Sequence, residues 1–284
     1  PLRISIAENA VTVAQESELV SLQNLLARIG SAVVLAPVTL YIVWVGGVTF
    51  FLFLMVLVCR VTYEWDRLNG GSGTRLSSIV LATFTVGTLT IGDQFGYPIA
   101  LLVVAIALLV QVVLARYERG SMMPGAVGTI YIVLPFLSLL WLRSIPFDGR
   151  GIVVWLLLTV WFTDILGYFV GNVLAGPKLA PNISPRKTWS GFFGGLVGAA
   201  LVGGLAHSFL MPSEVFGFWA GGYLLGALIG VSAQGGDLGE SWLKRRNMVK
   251  DSGNLIPGHG GLLDRIDGLI TGTPLLAFFV FLAS

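Results

Sequence analysis

The sequence predicts an all-α, polytopic membrane protein with about nine transmembrane helices, its N-terminus in the cytoplasm and its C-terminus on the opposite side. Composition is the first reason. Of the 284 residues, 55% are hydrophobic and only 11% are charged, and the mean hydropathy is +0.84. A soluble domain carries about 25% charged residues, so this chain has too few to cover a water-facing surface. Most of its surface must therefore face lipid.

The second reason is the length of the apolar segments. A bilayer core about 30 Å thick takes roughly 20 residues of helix to cross. Nine segments fit, several of them short or interrupted by glycine and proline, at about 29–45, 47–63, 76–92, 97–115, 126–142, 152–172, 190–211, 217–236 and 265–283. They divide the chain into a polar N-terminal segment at 1–28, N-terminal transmembrane helices at 29–150 and a C-terminal transmembrane domain at 151–284.

The third reason is the distribution of basic residues between these segments. If the nine helices alternate in direction, 15 of the 17 Lys and Arg residues lie on the side of the N-terminus, and only Arg143 and Arg150 lie on the other. Cytoplasmic loops carry the excess of Lys and Arg in membrane proteins. The two longest polar segments, 176–189 and 237–265, fall on the same side. We therefore expect a multi-pass protein of the cell inner membrane whose site faces the cytoplasm.

Several function classes are disfavoured by what the sequence lacks. The basic residues are scattered among apolar segments, which predicts no nucleic-acid partner. Cys59 is the one cysteine, so no intramolecular disulfide can form, and no cluster of Cys and His suits zinc. The chain has no GxxxxGKS or GxxxxGKT loop, which excludes a P-loop enzyme.

Asp164 lies inside the sixth apolar segment, where an unpaired carboxylate is costly. A stripe of small and polar residues follows on the same helical face, namely Gly167, Tyr168, Gly171 and Asn172. Asp164 therefore either makes a hydrogen bond between helices or belongs to a polar cavity open to the cytoplasm.

The polar segment before the seventh helix contains Pro181 and Pro185, which prevent a continuous helix. The run Ser-Pro-Arg-Lys-Thr at 184–188 then brings hydroxyls and cations to the start of that helix. Such groups, together with free backbone N–H groups, bind phosphate at helix N-termini. The same run also fits a cytoplasmic anchor with a helix N-cap.

The segment 237–267 carries the densest group of charged residues. Four polar side chains share one helical face at the end of the eighth helix, namely Asp237, Glu240, Ser241 and Lys244. Asp264 and Asp267 begin the ninth helix after a glycine-rich turn. Capping of a helix start explains one such acid, but not two of them together with Asp237.

These residue types predict a site that processes phosphate. Mg²⁺ takes carboxylates, water and substrate phosphates, and needs only one or two protein carboxylates. Asp237 and Asp264 can supply these from two helices, with Asp267 beside them. Nearby cations would neutralise phosphate charge, and glycines let backbone N–H groups approach anions. His259 has no Ser or Asp partner at a recognised spacing, so we expect it to contact phosphate or to be structural.

The residues between 241 and 267 also form an ordered pattern, which consists of Ser241, Leu243, Lys244, Arg245, Lys250, Asp251, Gly253, Ile256, Pro257, His259, Gly260, Gly261, Leu262, Asp264, Arg265, Ile266 and Asp267. This pattern resembles the signature of phosphatidate cytidylyltransferases, also called CDP-diacylglycerol synthases. The segments 161–168 and 184–188 are similar to two further motifs of that family. The resemblance covers about 160–268, and the first half is similar in hydropathy alone. The chain departs from the family at Asn172, often Lys or Arg, and at Ser190, often Glu.

The resemblance implies an Mg²⁺-dependent, in-line nucleotidyl transfer of phospholipid biosynthesis, in which CTP and phosphatidic acid give CDP-diacylglycerol and pyrophosphate. The resemblance does not say whether a second cation takes part. It implies that the C-terminal transmembrane domain, 151–284, is the catalytic domain. We expect Asp237 and Asp264 to hold the metal. The residues expected to act in catalysis are Asp237, Asp264, Lys187 and Asp267. Those expected to bind substrate are Asp164, Ser184, Arg186, Thr188, Ser241, Lys244, Arg245, Lys250, Asp251, His259, Gly260, Gly261 and Arg265.

Other functions fit parts of the sequence. A transporter would also have broken helices and an intramembrane Asp, but with polar residues near the midplane in both halves. A phosphotransferase that uses a CDP-alcohol would need an Asp-Gly-x-x-Ala-Arg motif, which is absent. A lipid-binding or scaffold protein would not need so many acids and cations around a glycine-rich turn. Small residues at Gly194, Gly198 and Ala199 suit either a homodimer or packing within the chain.

Overall fold

The computed structural model describes residues 30–71, 75–117, 122–210, 219–253 and 260–283. Nearly all of them are helical. The helices are α1 (Gly30–Val45), α2 (Gly47–Leu68), α3 (Leu76–Phe95), α4 (Tyr97–Tyr117), α5 (Met122–Gly128), α6 (Leu134–Ser144), α7 (Gly149–Leu174), α8 (Trp189–Leu210), α9 (Trp219–Arg246) and α10 (Leu263–Ala283). A π-helical turn, Thr129–Val133, joins α5 to α6. Two strands, β1 (Lys178–Ala180) and β2 (Ser184–Thr188), lie between α7 and α8.

Seven helices in the described ranges are long and apolar enough to cross a membrane, at Gly47–Leu68, Leu76–Phe95, Tyr97–Arg116, Gly125–Ser144, Gly149–Leu174, Trp189–Leu210 and Leu263–Ala283. The helix at Gly30–Val45 is apolar but shorter. α9 has 28 residues and is longer than any of the seven, but it ends in a charged stretch. The all-α, multi-pass fold is therefore confirmed. The count of nine spans and the side of each terminus stay predictions.

Two helices continue past the apolar segments that predicted them. α2 reaches Leu68 instead of residue 63, and α9 reaches Arg246 instead of residue 236. Hydropathy marks where the bilayer ends, whereas a helix continues as long as its hydrogen bonds and side-chain pairs support it. The two extensions therefore carry charged groups beyond the apolar core.

α7, α8, α9 and α10 pack against one another in the half of the bundle that carries the polar segments. α8 and α9 approach at backbone distance because glycines face each other. A Cβ atom on Gly203 would stand 2.7 Å from the Cα of Gly226. The buried indole of Trp155, on α7, donates a hydrogen bond of 2.7 Å to the Gly203 carbonyl. These contacts hold α7, α8 and α9 as one unit.

The small residues of α8 that suited either a homodimer or internal packing are used within the chain. A Cβ atom on Gly194 would meet Val170 at 2.5 Å, and one on Gly198 would meet Leu166 at 2.6 Å. Ala199 is fully buried. Gly194 and Gly198 therefore pack α8 against α7, whereas Ala199 packs it against Gly226 and Gly230 of α9, and a homodimer stays a prediction.

The polar segments meet at one end of the bundle. Lys187, after the hairpin turn, pairs with Asp237 near the end of α9. Glu64, near the end of α2, accepts a hydrogen bond from the backbone of Leu263 at the start of α10. At the other end, the Arg143 guanidinium donates to carbonyls at the end of α1. Basic residues that the sequence assigned to opposite sides of the membrane thus lie at opposite ends.

Candidate active site

A polar cavity of about 660 Å³ opens at this end of the bundle, between α7, the hairpin, α8, α9 and α10. Within the described ranges, its lining residues all follow residue 162 in the sequence. The cavity brings together eleven of the predicted site residues, which are Asp164, Ser184, Arg186, Lys187, Thr188, Asp237, Lys244, Asp251, Asp264, Arg265 and Asp267. Three segments that are separate in sequence therefore share one space.

The first ion pair of the cavity joins the hairpin to α9. The Lys187 ammonium lies 2.6 Å from Asp237 Oδ2, and the two side chains are 25% and 33% exposed. The hydroxyl of Ser241, one helical turn after Asp237, lies 3.3 Å from Asp237 Oδ1. The carboxylate is thus oriented from two directions but remains open to solvent.

The second ion pair joins α9 to α10 and is much less exposed. The Lys244 ammonium lies 2.6 Å from Asp264 Oδ1 and 3.5 Å from Glu240 Oε1. The Lys244, Asp264 and Glu240 side chains are 14%, 5% and 1% exposed. Burial and the nearby Asp267 raise the pKa of the Glu240 carboxyl, so the Lys244 ammonium pairs with the Asp264 carboxylate beside a Glu240 that favours its neutral form.

The other oxygen of Asp264 is held by the backbone around it. Asp264 Oδ2 accepts hydrogen bonds from the Ser252 N–H at 3.0 Å, the Ser252 hydroxyl at 3.0 Å and the Gly261 N–H at 2.9 Å. A carboxylate with this many donors has little freedom to rotate. Asp264 is consequently the most firmly oriented of the predicted metal ligands.

Asp164 and Asp267 face the same cavity from α7 and α10. Asp267 interacts electrostatically with both Asp164 and Asp237, and its Oδ1 accepts a hydrogen bond of 2.8 Å from the Gly268 N–H. In the part of the chain that the structure describes, no group of three or more His, Cys, Asp or Glu side chains is arranged to hold a metal. Protein ligands alone therefore do not form a closed metal site here.

The hairpin presents the predicted phosphate-binding run to the cavity. Lys178 pairs with Thr188 and Ala180 with Ser184 in an antiparallel register. The Thr188 hydroxyl accepts a hydrogen bond of 3.1 Å from the Gly191 N–H, which caps the start of α8. Thr188 thus combines the N-cap that the sequence suggested with a place in the cavity wall.

Five predicted site residues in the described part lie outside the cavity wall. Ser241 and Gly261 lie behind it, where they donate to Asp237 and Asp264. Arg245 donates to the Ile183 carbonyl at 3.3 Å and so ties the hairpin to α9. Lys250 is exposed. A Cβ atom on Gly260 would stand 2.9 Å from Asp264 Oδ2, and His259 lies outside the described residues.

Some residues of the site were not among those predicted. Glu240 was placed on the polar face of α9, but its burial beside Lys244 was not foreseen. Lys178, Gln234 and Asn172 line the cavity, and Asn172 had been set aside as a departure from the family pattern. Glu64 contacts the loop from the other half of the chain. Helical spacing gave a signal for Glu240 and for Asn172, which lies on the same helical face as Asp164, but for none of the others.

Comparisons with known proteins point to one family. The model of the Cytidylyltransferase family matches residues 26–283. The chain is 41% identical over 261 residues to the phosphatidate cytidylyltransferase of Brucella abortus biovar 1 (strain 9-941), which covers 91% of this chain and 94% of the relative. It is 32% identical over 266 residues to that of Pseudomonas aeruginosa, over 90% and 97% of the two chains. It is 41% identical over 157 residues to that of Bacillus subtilis (strain 168), over 55% and 57%.

Proposed function

This chain belongs to the Cytidylyltransferase family, and from that premise we propose that its polar cavity is where CTP reacts with phosphatidic acid. The reaction gives CDP-diacylglycerol and pyrophosphate and belongs to phospholipid biosynthesis. The observation that carries the assignment of the site is the cavity itself. It joins three separate polar segments, with their acids and cations, around one space.

The chemistry requires positioning more than proton transfer. A phosphate oxygen of phosphatidic acid attacks the α-phosphorus of CTP. The bond from this phosphorus to the oxygen that bridges to the β-phosphate breaks, and its electron pair leaves with pyrophosphate. Because the attacking oxygen is already anionic, no strong base is needed. The residues must instead hold two anions together and stabilise charge on the leaving group.

Lys187 and Lys244 are the cations that we assign to the phosphate groups. Each ammonium lies 2.6 Å from an aspartate, which fixes its position but leaves donors free, since an ammonium has three. Arg186 and Arg265 line the same cavity. Phosphate oxygens of both substrates would thus meet cations that are already oriented.

The carboxylates fit Mg²⁺ in combination with substrate. Mg²⁺ is usually bound by one or two carboxylates and substrate phosphates, and Asp237 and Asp264 would supply those carboxylates. Among the described residues, five Asp and five Lys or Arg side chains line the cavity, so they supply no surplus positive charge to balance a triphosphate. When bound, Mg²⁺ supplies this charge and polarises the phosphoryl group. Binding together with CTP would also explain why protein ligands alone form no closed site among the described residues.

The cavity wall on α7 adjoins the surface that faces lipid. Tyr168 lines the cavity and is 76% exposed, and its neighbour Phe169 is 62% exposed. A lipid phosphate would enter from this side while its acyl chains stay in the bilayer, and CTP would enter from water at the end of the bundle. The excess of Lys and Arg predicted for this end supports a cytoplasmic opening. The bacterial relatives agree with an inner-membrane location.

The purified protein tests this function directly. It is incubated in detergent with CTP, Mg²⁺ and phosphatidic acid, and pyrophosphate and CDP-diacylglycerol are measured. Asp237→Asn should lower turnover by at least about 10²-fold, because it removes a predicted metal ligand. It should leave the chain folded, because Asp237 is 33% exposed and such pairs contribute about 0–1 kcal/mol. The matched control is Asp93→Asn, on the exposed end of α3, which should keep full turnover.

Each result bears on a different part of the proposal. Near-normal product formation by Asp237→Asn would contradict the role of Asp237 but leave the reaction intact. No pyrophosphate release by the wild-type protein above a metal-free control would contradict the reaction. Uptake of a substrate into vesicles without pyrophosphate release would favour a transporter instead.

A further inference from the structure

We propose that Glu64, on α2, is a positioning residue for this reaction and holds the start of α10 so that Asp264 and Asp267 face the substrates. The inference rests on the proposed function, since both acids line the cavity assigned to CTP and phosphatidic acid. It gives the first half of the chain a part in catalysis, although none of the described residues of that half lines the cavity.

The buried Glu64 carboxylate lies within hydrogen-bond distance of four donor groups. Its Oε1 accepts from Arg60 Nε at 2.8 Å and from the Leu262 N–H at 3.1 Å. Its Oε2 accepts from the Leu263 N–H at 2.8 Å and lies 3.2 Å from the Ser252 hydroxyl. That hydroxyl has a single proton, which Glu64 shares with Asp264, so three of the four donors belong to Glu64 alone.

This donor set specifies glutamate. A glutamine would keep the shape, but in either orientation its NH₂ group would face the N–H of Leu262 or of Leu263 and leave that donor without an acceptor in a buried place. An aspartate is one methylene shorter and would not reach from the same position on α2 to the backbone at Leu263. Both substitutions therefore break the contact between α2 and α10, although they change few atoms.

Two of these contacts are made with backbone N–H groups at the start of α10. The first N–H groups of a helix have no acceptor within the helix, and α10 begins at Leu263. Glu64 accepts from the N–H groups of Leu262 and Leu263, and its negative charge suits the positive end of the helix dipole. A residue of another helix therefore fixes the position at which α10 starts.

Ser252 connects Glu64 directly to Asp264. Its hydroxyl lies 3.2 Å from Glu64 Oε2 and 3.0 Å from Asp264 Oδ2. Gly261 packs onto this group so closely that a Cβ atom there would stand 2.7 Å from Glu64 Oε2. Gly253 is just as close, since its Cβ atom would stand 2.8 Å from Glu64 Oε1. Loss of the Glu64 carboxylate would therefore release Ser252 and the start of α10 together, and Asp264 would lose its fixed orientation.

The test compares Glu64→Gln with Thr62→Val in the purified full-length protein. Thr62 is a matched control because it is buried on the same helix, but its hydroxyl bonds only to α2 carbonyls. We expect Glu64→Gln to lower kcat on the order of 10²-fold, as misplacement by about 1 Å can do, with KM for phosphatidic acid nearly unchanged. Thr62→Val should keep the wild-type kcat. Turnover is expressed per folded molecule, well below the unfolding temperature of each variant.

Hydrogen exchange adds a measurement that does not depend on catalysis. The amides of Leu262 and Leu263 should exchange faster in Glu64→Gln than in Thr62→Val, while the amides in the middle of α10 stay protected. If Glu64→Gln does not fold, Ser252→Ala replaces it, because this variant removes only the hydroxyl between Glu64 and Asp264.

The outcomes separate positioning from support of the fold. A lower kcat with an unchanged KM and faster exchange at Leu262 and Leu263 supports the proposal. A folded Glu64→Gln, or Ser252→Ala in its place, with the wild-type kcat and only a lower unfolding temperature overturns it. An inactive wild-type protein would contradict the proposed function instead, and the exchange rates would still decide whether Glu64 anchors α10.

Discussion

Replacement of Lys187 or Lys244 by methionine removes one ammonium from the cavity with little change in side-chain length. Both lysines lie 2.6 Å from an aspartate, so the contact distances alone predict the same loss of stability for the two variants. The burial of the two ion pairs predicts different losses. Lys187 and Asp237 are 25% and 33% exposed, whereas Lys244 and Asp264 are 14% and 5% exposed.

The difference in burial sets the expected free energies of unfolding. Partly exposed ion pairs contribute about 0–1 kcal/mol, so Lys187→Met should be close to the wild-type protein in stability. Removal of one partner of a buried pair costs about 3–5 kcal/mol. Lys244→Met leaves the buried Asp264 carboxylate without its cation, and we expect a loss within that range.

Activity should not follow stability in this pair of variants. Both lysines are assigned to phosphate groups, so each variant should lose about 10²–10³-fold in turnover, as other sites do when one stabilising group is removed. Denaturant unfolding in detergent measures stability, and pyrophosphate release measures turnover. Arg116→Met, which removes an exposed cation at the end of α4, is the control for loss of charge. Equal stability losses in Lys187→Met and Lys244→Met would refute the reasoning from burial, and full turnover in Lys187→Met would refute its phosphate role.

Two predictions concern the packing of α8. Trp155→Phe removes the buried hydrogen bond to the Gly203 carbonyl and should lower the free energy of unfolding by about 1–3 kcal/mol, with turnover retained in the pyrophosphate assay. Gly226→Ala places a methyl group against the backbone of Ala199 and should lower the free energy of unfolding by about 1–3 kcal/mol in denaturant unfolding. The control is Gly235→Ala, on the same helix with open space around it, which should leave the stability unchanged. Equal losses in the two variants would contradict the close approach of α8 and α9.

The helices could be predicted because one physical signal determines them. A bilayer crossing requires a long apolar segment, and each of the nine predicted segments overlaps a helix of the structure. Hydropathy could not give the ends of α2 and α9, since both helices continue through polar and charged residues to Leu68 and Arg246. The same signal says nothing about which helices are neighbours.

Local sequence patterns predicted which residues of one helix lie together at the site, but not which separate segments contact each other. Helical spacing placed Asp237 and Lys244 on one face, and the structure has both at the cavity. The prolines at 181 and 185 predicted a break in the helix, but not the antiparallel hairpin that forms there. Nor did the pattern indicate that Lys187 would meet Asp237, because that contact depends on how the hairpin folds over α9.

Glu64 illustrates what no local pattern can supply. It stands in an apolar helix, and its partners at Leu262 and Leu263 are 198 and 199 residues away. From sequence it is one acid near the end of a transmembrane segment, where a solvent-facing side chain is the ordinary expectation. Only the packing of α2 against the start of α10 turns it into a buried acceptor for backbone N–H groups of that helix.

This contact also bears on the boundary predicted at residue 150. All the described lining residues follow that boundary and so lie in the predicted catalytic domain. α10, however, begins against Glu64 and packs along α6, and both belong to the first half. The two acids on α10 can face the cavity only if the position of that helix is fixed, and a helix that slides or tilts by a fraction of a turn would move both carboxylates together. The first half, which contains no residue of the predicted site, is therefore part of the unit that holds these two acids in place, because it supplies Glu64, the acceptor for the N–H groups at the start of α10.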